Sequence, residues 1–328
     1  MRTPPGKTWK LAIKAGLTVL VLAFVGRHVA RTWRELSDRG RTIRVDGSWL
    51  AASVVLYLLG LTAFGVFFWR ILQGGKTPTR LAPSLRAYLI SHLAKYVPGK
   101  AMVVVVRAGL VAPYGARPAT AAFATLYETL VMMAAGGLGA AALFATCPGP
   151  TPRLSVPFFG SRAIEARMDL IGLGLGLAFL IVVWPWVFPR LAGLSRVPLP
   201  NVGPDALPRF SMGLLAEGLA WSILGWILLG LSQVAVIRGL EPAGLAVGAW
   251  PIAIASVALA TVAGFVLQTP AGLGVREMVL WIALASALDR DLAVVAALVL
   301  RMSWVVGEVL AAAALSAIRP ALPGPSQP

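Results

Sequence analysis

The chain has 328 residues, of which 58% are hydrophobic and only 13% are charged, and its mean hydropathy is +0.80. Soluble domains have about 45–50% apolar and about 25% charged residues, so this composition excludes a soluble globular protein. The formal net charge is +16. Because the basic residues are spread over many loops without a recognised nucleic-acid-binding fold, we expect contact with anionic lipid head groups and no nucleic acid partner.

Long apolar segments predict transmembrane helices, because roughly 20 residues rising about 1.5 Å each cross the hydrocarbon layer. A weaker sixth segment near residues 9–26 follows basic residues and also has features of a signal peptide. We therefore predict an all-α, polytopic, multi-pass protein of the cell (plasma or inner) membrane, with about six full transmembrane helices. The five stronger segments are residues 49–72, 118–146, 170–188, 211–237 and 292–318.

Two segments containing Pro and Gly interrupt the apolar pattern beside charged residues. We call residues 95–100 the first break and residues 269–277 the second break. Unwound backbone is tolerated inside a membrane only where protein or water satisfies it, so matched breaks in two halves indicate a substrate path. The residues of interest in the breaks are Lys95, Pro98, Gly99, Lys100, Pro270, Gly272, Gly274, Arg276 and Glu277.

Aligning Pro98 with Pro270 also aligns an apolar arm, a turn and a long helix after each break. The arms around Pro98 are too short to span the membrane, which favours a hairpin that enters and leaves on one side. We therefore predict two inverted repeats, each with a re-entrant broken helix. The predicted units are 1–48 (N-terminal transmembrane helix and basic loop), 49–146 (repeat 1), 147–210 (connector with one transmembrane helix), 211–318 (repeat 2) and 319–328 (tail).

Three charged residues, Glu128, Arg301 and Glu308, lie near the middle of their predicted spans. Each would cost roughly 2.5–3.5 kcal/mol at the bilayer centre, so we expect all three to face the protein interior. Arg301 suits a phosphate or a carboxylate, and Glu128 or Glu308 could counter it in an empty site. The alternative is a network of buried ion pairs that only fixes helix packing.

Further cations lie beside the breaks: Lys95, Lys100 and Arg107 flank the first, and Arg276 with Glu277 closes the second. Cations beside an exposed helix N-terminus would attract a lipid phosphate. The alternative for the two lysines is that they are interfacial residues whose ammonium groups reach towards water.

Small and aromatic residues carry structural predictions. The glycines of residues 136–139 and 172–176 predict close helix packing rather than nucleotide loops, since neither group follows a strand. The eleven tryptophans are interpreted mostly as interfacial anchors. Cys147, as the only cysteine, excludes an internal disulfide, and the two distant histidines, His28 and His92, exclude a multi-histidine metal site. We expect no metal and no cofactor.

The ordered pair of motifs resembles the lysylphosphatidylglycerol synthase transmembrane-region family, often described as flippase-like membrane proteins. The resemblance covers roughly residues 10–318 and departs from the usual pattern at Ala271, where relatives commonly have Gly. It implies an inner-membrane protein related to the lipid-flipping part of aminoacyl-phosphatidylglycerol synthases, without their soluble aminoacyl-transfer domain. The residues that carry it are 95–100, Arg107 and Glu128 in the first half and 270–277 and Arg301 in the second.

From these observations we expect a transporter rather than an enzyme. It would move a phospholipid, an aminoacylated lipid or a polyprenyl-phosphate type lipid between leaflets, with an anionic or phosphate-bearing head group as its partner. Asp289 and Asp291 suggest the alternative of a membrane-embedded glycosyltransferase or lipid-modifying enzyme. A non-transporting scaffold or regulator of an envelope enzyme is a further alternative, and a homodimer is left open.

Overall fold

A computed structural model describes residues 45–75, 79–96, 101–147, 151–157, 163–194, 208–267 and 274–318. The predicted weak span at 9–26 lies outside the described residues. So do Pro98, Gly99, Lys100, Pro270 and Gly272 from the two breaks.

The described residues are almost entirely helical, which confirms the prediction of an all-α polytopic membrane protein. Short 3₁₀ segments at Leu93–Tyr96, Ala112–Tyr114 and Val247–Ala249 adjoin the helices. A small antiparallel hairpin pairs β1 (Arg153–Pro157) with β2 (Ala163–Arg167). The helices are α1 (Gly47–Gln73), α2 (Leu81–His92), α3 (Ala101–Val111), α4 (Pro118–Thr146), α5 (Met168–Val183), α6 (Phe188–Leu194), α7 (Met212–Leu240), α8 (Trp250–Val266), α9 (Val275–Leu284) and α10 (Arg290–Ala317).

Five helical segments of the described chain are long and apolar enough to cross a membrane. Four of them, α1, α4, α7 and α10, confirm predicted spans. The fifth, residues 247–266 around α8, was not predicted as a full span. The predicted span at 170–188 was wrong in length, because α5 has 16 residues and ends at Val183. Trp184 precedes Pro185, and a residue before a proline disfavours helical geometry.

Helices α1 and α7 are antiparallel neighbours along most of their length. At one end, the backbone N–H of Asp46 donates to the carbonyl of Gly239 at 2.9 Å. At the other end, Arg70 forms an ion pair with Glu217 at 2.6 Å. Between these ends, a Cβ placed on Gly225 would lie 2.4 Å from the ring of Phe64, so this position admits only a glycine at the present helix separation.

The first broken hairpin, α2 with α3, begins and ends beside the C-terminal end of α1. At its start, Trp69 and Gln73 of α1 donate to the carbonyl of Thr79 at 2.9 and 2.6 Å. At its end, the first turn of α4 approaches α1, and a Cβ placed on Gly75 would lie 3.3 Å from Thr120.

The second broken hairpin, α8 with α9, lies at the opposite end of α1. It follows α7, whose last turn packs against the start of α1, and it precedes α10. Helix α10 runs antiparallel to α2, since Glu308 pairs with Lys95 just after α2, while the carbonyl of Leu315 accepts from Arg86 nearer the start of α2. Helix α2 is antiparallel to α1, because His92 lies near Tyr57 and Tyr88 lies near Phe68, so α10 runs parallel to α1. The two inverted repeats with re-entrant hairpins stay a prediction, and the segment around α8 is long and apolar enough to cross the membrane.

Close helix packing at the two glycine clusters is confirmed between α4 and α5. A Cβ placed on Gly137 would lie 2.6 Å from the backbone nitrogen of Gly176, and one on Gly172 would lie 2.9 Å from the carbonyl of Gly137. Gly139 and Gly174, by contrast, have no other atom within 4 Å of such a Cβ. Only one face of each glycine cluster therefore packs against the other helix.

This contrast predicts opposite effects of two similar substitutions. Gly137→Ala should destabilise the protein by about 1–3 kcal/mol, because the added methyl group forces α4 and α5 apart. Gly139→Ala should leave stability unchanged or raise it, since alanine favours a helix over glycine. Thermal unfolding in detergent measures both, and equal melting temperatures for the two variants would contradict the close contact.

Candidate functional site

Helix α10 forms ion pairs with residues of both breaks. Lys95, the first residue of the first break, places its Nζ 2.6 Å from Oε1 of Glu308. Glu277, at the end of the second break, forms an ion pair with Arg301. Arg301 and Glu308 are seven residues apart and share one helix face, because two turns of helix separate them. The described ends of the two breaks therefore lie against the same face of α10.

Glu308 lies at the centre of a buried polar cluster. It is 1% exposed, and its Oε1 accepts a hydrogen bond from the hydroxyl of Tyr57 in addition to that from Lys95. His92 approaches with its Nε2 3.4 Å from the hydroxyl of Tyr57 and 3.7 Å from Oε1 of Glu308. The other carboxylate oxygen, Oε2, is buried and has no hydrogen-bond partner within the described part of the chain.

An aromatic stack holds a further cation beside this cluster. The rings of Tyr57 and Trp304 are stacked with centroids 4.3 Å apart, and the guanidinium of Arg276 lies 4.3 Å from the Trp304 ring centroid. Trp304 is fixed in turn by donating to Ser232 at 2.9 Å. Arg276 thus has a cation–π contact. No carboxylate of the described residues forms an ion pair with it.

A second buried cluster joins α2, α3 and α4. Nη1 of Arg107 lies 3.3 Å from Oε2 of Glu128, whose Oε1 accepts a hydrogen bond from Tyr88 at 2.9 Å. Arg107 also donates to Ser91 at 3.0 Å, and its guanidinium lies 3.9 Å from the centroid of the Tyr88 ring. Arg107 and Glu128 are 2% and 1% exposed. This pair fixes the arm that follows the first break against the long helix α4.

Helix α2 connects the two clusters. Tyr88 and His92 lie one turn apart on it, and their rings stack with centroids 6.3 Å apart. Tyr88 contacts Glu128, while His92 contacts Tyr57 near Glu308. A chain of polar and aromatic contacts therefore runs through the interior from one cluster to the other.

The structure corrects two predictions about partners. We expected Glu128 or Glu308 to counter Arg301, but Arg301 pairs with Glu277. The cap of α9 explains this pairing. The other oxygen of Glu277 accepts a hydrogen bond from the backbone N–H of Gly274 at the start of α9, and this contact holds the carboxylate beside α10. The alternative of Lys95 as an interfacial residue is also wrong, since its ammonium pairs with the buried Glu308.

Sequence reasoning missed Tyr57, Tyr88 and Trp304. The interpretation of tryptophans as interfacial anchors is wrong for Trp304 and for Trp226, which is also buried and donates to the carbonyl of Met132 at 2.9 Å. A usable signal was present, because Tyr57 lies well inside an apolar run. Aromatic residues with a polar atom collect at the membrane interfaces when they face lipid, so a tyrosine in mid-span indicates an internal hydrogen bond.

The two aspartates of the enzyme alternative lie at the start of α10. Asp289 is its N-cap residue and Asp291 lies in its first turn, where a negative charge stabilises a helix. In the part of the chain that the structure describes, no group of three or more His, Cys, Asp or Glu residues could hold a metal ion.

The charges of the two clusters and the second break do not balance among the described residues. The carboxylates are Glu128, Glu277 and Glu308, and the cations are Lys95, Arg107, Arg276 and Arg301. Three cations are matched by three carboxylates, and Arg276 is the additional one. The interior described here therefore has one positive charge available for an anion.

The buried and exposed ion pairs predict a contrast in stability. Glu128→Gln should destabilise the protein by about 3–5 kcal/mol, because it leaves Arg107 buried without a counterion. Glu217→Gln removes the same charge from a pair whose side chains are 31% and 44% exposed, and it should change stability by less than about 1 kcal/mol. Thermal unfolding in detergent compares them, and similar losses for both would contradict the burial of the Arg107–Glu128 pair.

Comparison with known proteins agrees with a multi-pass membrane protein that has a role related to membrane lipids. Among curated proteins, none matches the chain. The family described as Lysylphosphatidylglycerol synthase TM region matches residues 10–317, a range that contains both breaks and all the buried charges described above. The chain therefore belongs to the lysylphosphatidylglycerol synthase transmembrane-region family.

Proposed function

We propose that this protein moves a lipid with an anionic, phosphate-bearing head group between the leaflets of the membrane and catalyses no reaction. The head group would pass through the polar interior while the acyl tails stay in the bilayer. The observation that supports this most directly is that Lys95 and Glu277, from the two breaks, contact one face of α10, beside a cation that has no carboxylate partner among the described residues. Ionised groups inside a membrane typically mark a substrate or ion path.

Arg276 is the residue that we propose to bind the head group. Its planar guanidinium offers paired N–H donors that match two phosphate oxygens. It lies in the first turn of α9, where the helix dipole also favours an anion. Trp304 supports its guanidinium from one side and leaves N–H groups at its edge for a ligand.

The two ion pairs on α10 suggest how access could alternate. Lys95–Glu308 joins the first broken hairpin to α10, and Glu277–Arg301 joins the second. The hairpins come from opposite ends of α1, so separation of one pair would open the interior to one side while the other pair keeps the far side closed. Movement of one broken hairpin against a fixed central site is the arrangement by which transporters of this kind alternate access.

Transport can be tested in phosphatidylcholine vesicles that contain a trace of tail-labelled phosphatidylglycerol. Wild-type protein should make the inner-leaflet label accessible to an impermeant quencher. Arg276→Gln should slow this at least about tenfold, because a charged hydrogen bond contributes roughly 1.5–3 kcal/mol. Arg70→Gln, which removes an equal charge from a partly exposed pair, is the matched control and should move the label at the wild-type rate.

Two results would overturn the proposal. One is wild-type protein that moves neither phosphatidylglycerol, nor its aminoacyl ester, nor a polyprenyl phosphate. The other is a folded Arg276→Gln variant that moves the label as fast as the wild type, which would favour a scaffold whose buried charges serve packing alone.

A further inference from the structure

The Lys95–Glu308 pair creates a charge conflict for the transport proposed above, on which this inference rests. Lys95 and Arg276 belong to different breaks and lie beside the same aromatic stack, since Nζ of Lys95 is 3.4 Å from the hydroxyl of Tyr57 and the guanidinium of Arg276 is 4.3 Å from the Trp304 ring centroid. A phosphate held there would lie near both cations. The ammonium of Lys95 already forms an ion pair with Oε1 of Glu308 at 2.6 Å. The head group must displace this carboxylate or lie beside it.

Two anions this close repel each other strongly in a buried site. When acidic groups share one site, repulsion raises the affinity of one of them for a proton, and in a low-dielectric interior this effect is strong. The side chain of Glu308 is completely shielded from solvent, so water does not screen the repulsion. Its neutralisation by a proton is the direct way to admit a phosphate to Lys95.

In the described part of the chain, the titratable and charged groups near Glu308 come from five elements. Among them, His92 is placed to pass a proton, because its Nε2 lies 3.7 Å from Oε1 and its side chain is 19% exposed, whereas that of Glu308 is completely buried. The facing groups are Tyr57 of α1, His92 of α2, Lys95 and Tyr96 of the 3₁₀ segment, Arg276 of α9, and Arg301 of α10 itself.

We propose that Glu308 takes up a proton when a head-group phosphate replaces it on Lys95, so that one proton crosses the membrane with each lipid anion. The proton comes from water on the side to which the interior is open and passes through the imidazole of His92 to the carboxylate. When the interior has opened to the other side and the phosphate departs, the proton returns to His92 and is released to water on that side. Oε2, which is buried without a partner in the described chain, is the oxygen available to receive it. Lipid anion and proton together carry no net charge.

A pH gradient across the vesicles described above tests this coupling. With one proton for each lipid anion, a difference of about one pH unit should enrich tail-labelled phosphatidylglycerol about tenfold in the leaflet facing the alkaline side. Collapse of the gradient with a proton–potassium exchanger should abolish the enrichment. A membrane potential set with potassium and valinomycin should have no effect, because the coupled step is electroneutral.

Variants test whether Glu308 is the residue that couples proton movement to lipid movement. Glu308→Gln should lose the enrichment, while Glu217→Gln, the same change in an exposed pair, should keep it. If Glu308→Gln moves no lipid, Lys95→Gln is the second variant, because it removes the cation for which the two anions compete and should also lose the enrichment. Gradient-driven enrichment that persists in Glu308→Gln would overturn the assignment.

The wild-type result separates this inference from the transport proposal. Lipid that moves at the same rate to the same even distribution with and without a pH gradient would overturn proton coupling and leave transport standing. Enrichment that follows the membrane potential instead would show that the lipid anion crosses alone. Absence of any movement would overturn both.

Discussion

The structure depends on the pairing of charges that the hydrocarbon of a bilayer cannot solvate. Arg107 and Glu128 are both almost completely buried, and each requires the other because the lipid around the helices offers no counterion. The same constraint ties Glu308 to Lys95 and Arg301 to Glu277. These contacts help to position the short arms, because lipid tails are as apolar as the helices and the hydrophobic effect provides no attraction between them.

Each half pairs a charge on the arm after its break with an opposite charge on the next long helix, and the signs are exchanged between the two halves. In the first half, an arginine on the arm after the break, Arg107, pairs with a glutamate on the next long helix, Glu128. In the second half, the arm carries Glu277 and the long helix carries Arg301. The arrangement of arm and helix is therefore alike, while the electrostatic field that each half presents differs. Beyond these two pairs, the first half adds Lys95, whereas the second half adds Arg276 and Glu308.

Glycine and tyrosine have complementary roles around these charges. Gly225 and Gly137 allow helices to approach closely where only apolar contacts are made. Tyr57 and Tyr88 extend a hydroxyl to a buried carboxylate where a helix carries charge. Apolar packing thus provides a rigid frame of long helices, and the polar contacts hold the broken hairpins to it. A rigid frame with polar contacts that can separate is compatible with the transport that we propose.

The sequence by itself determined the membrane environment, four of the long spans and the burial of Glu128, Arg301 and Glu308, because hydropathy and the cost of charge in lipid are local properties of a segment. Only the tertiary structure decided which charged residues form ion pairs with each other. The partners of these residues come from 21, 24 and 213 positions away, as Arg107, Glu277 and Lys95. A single sequence contains no measure of such distances, since pairing depends on how helices cross, and for the same reason it did not reveal that Tyr57 and Trp304 lie between the two breaks.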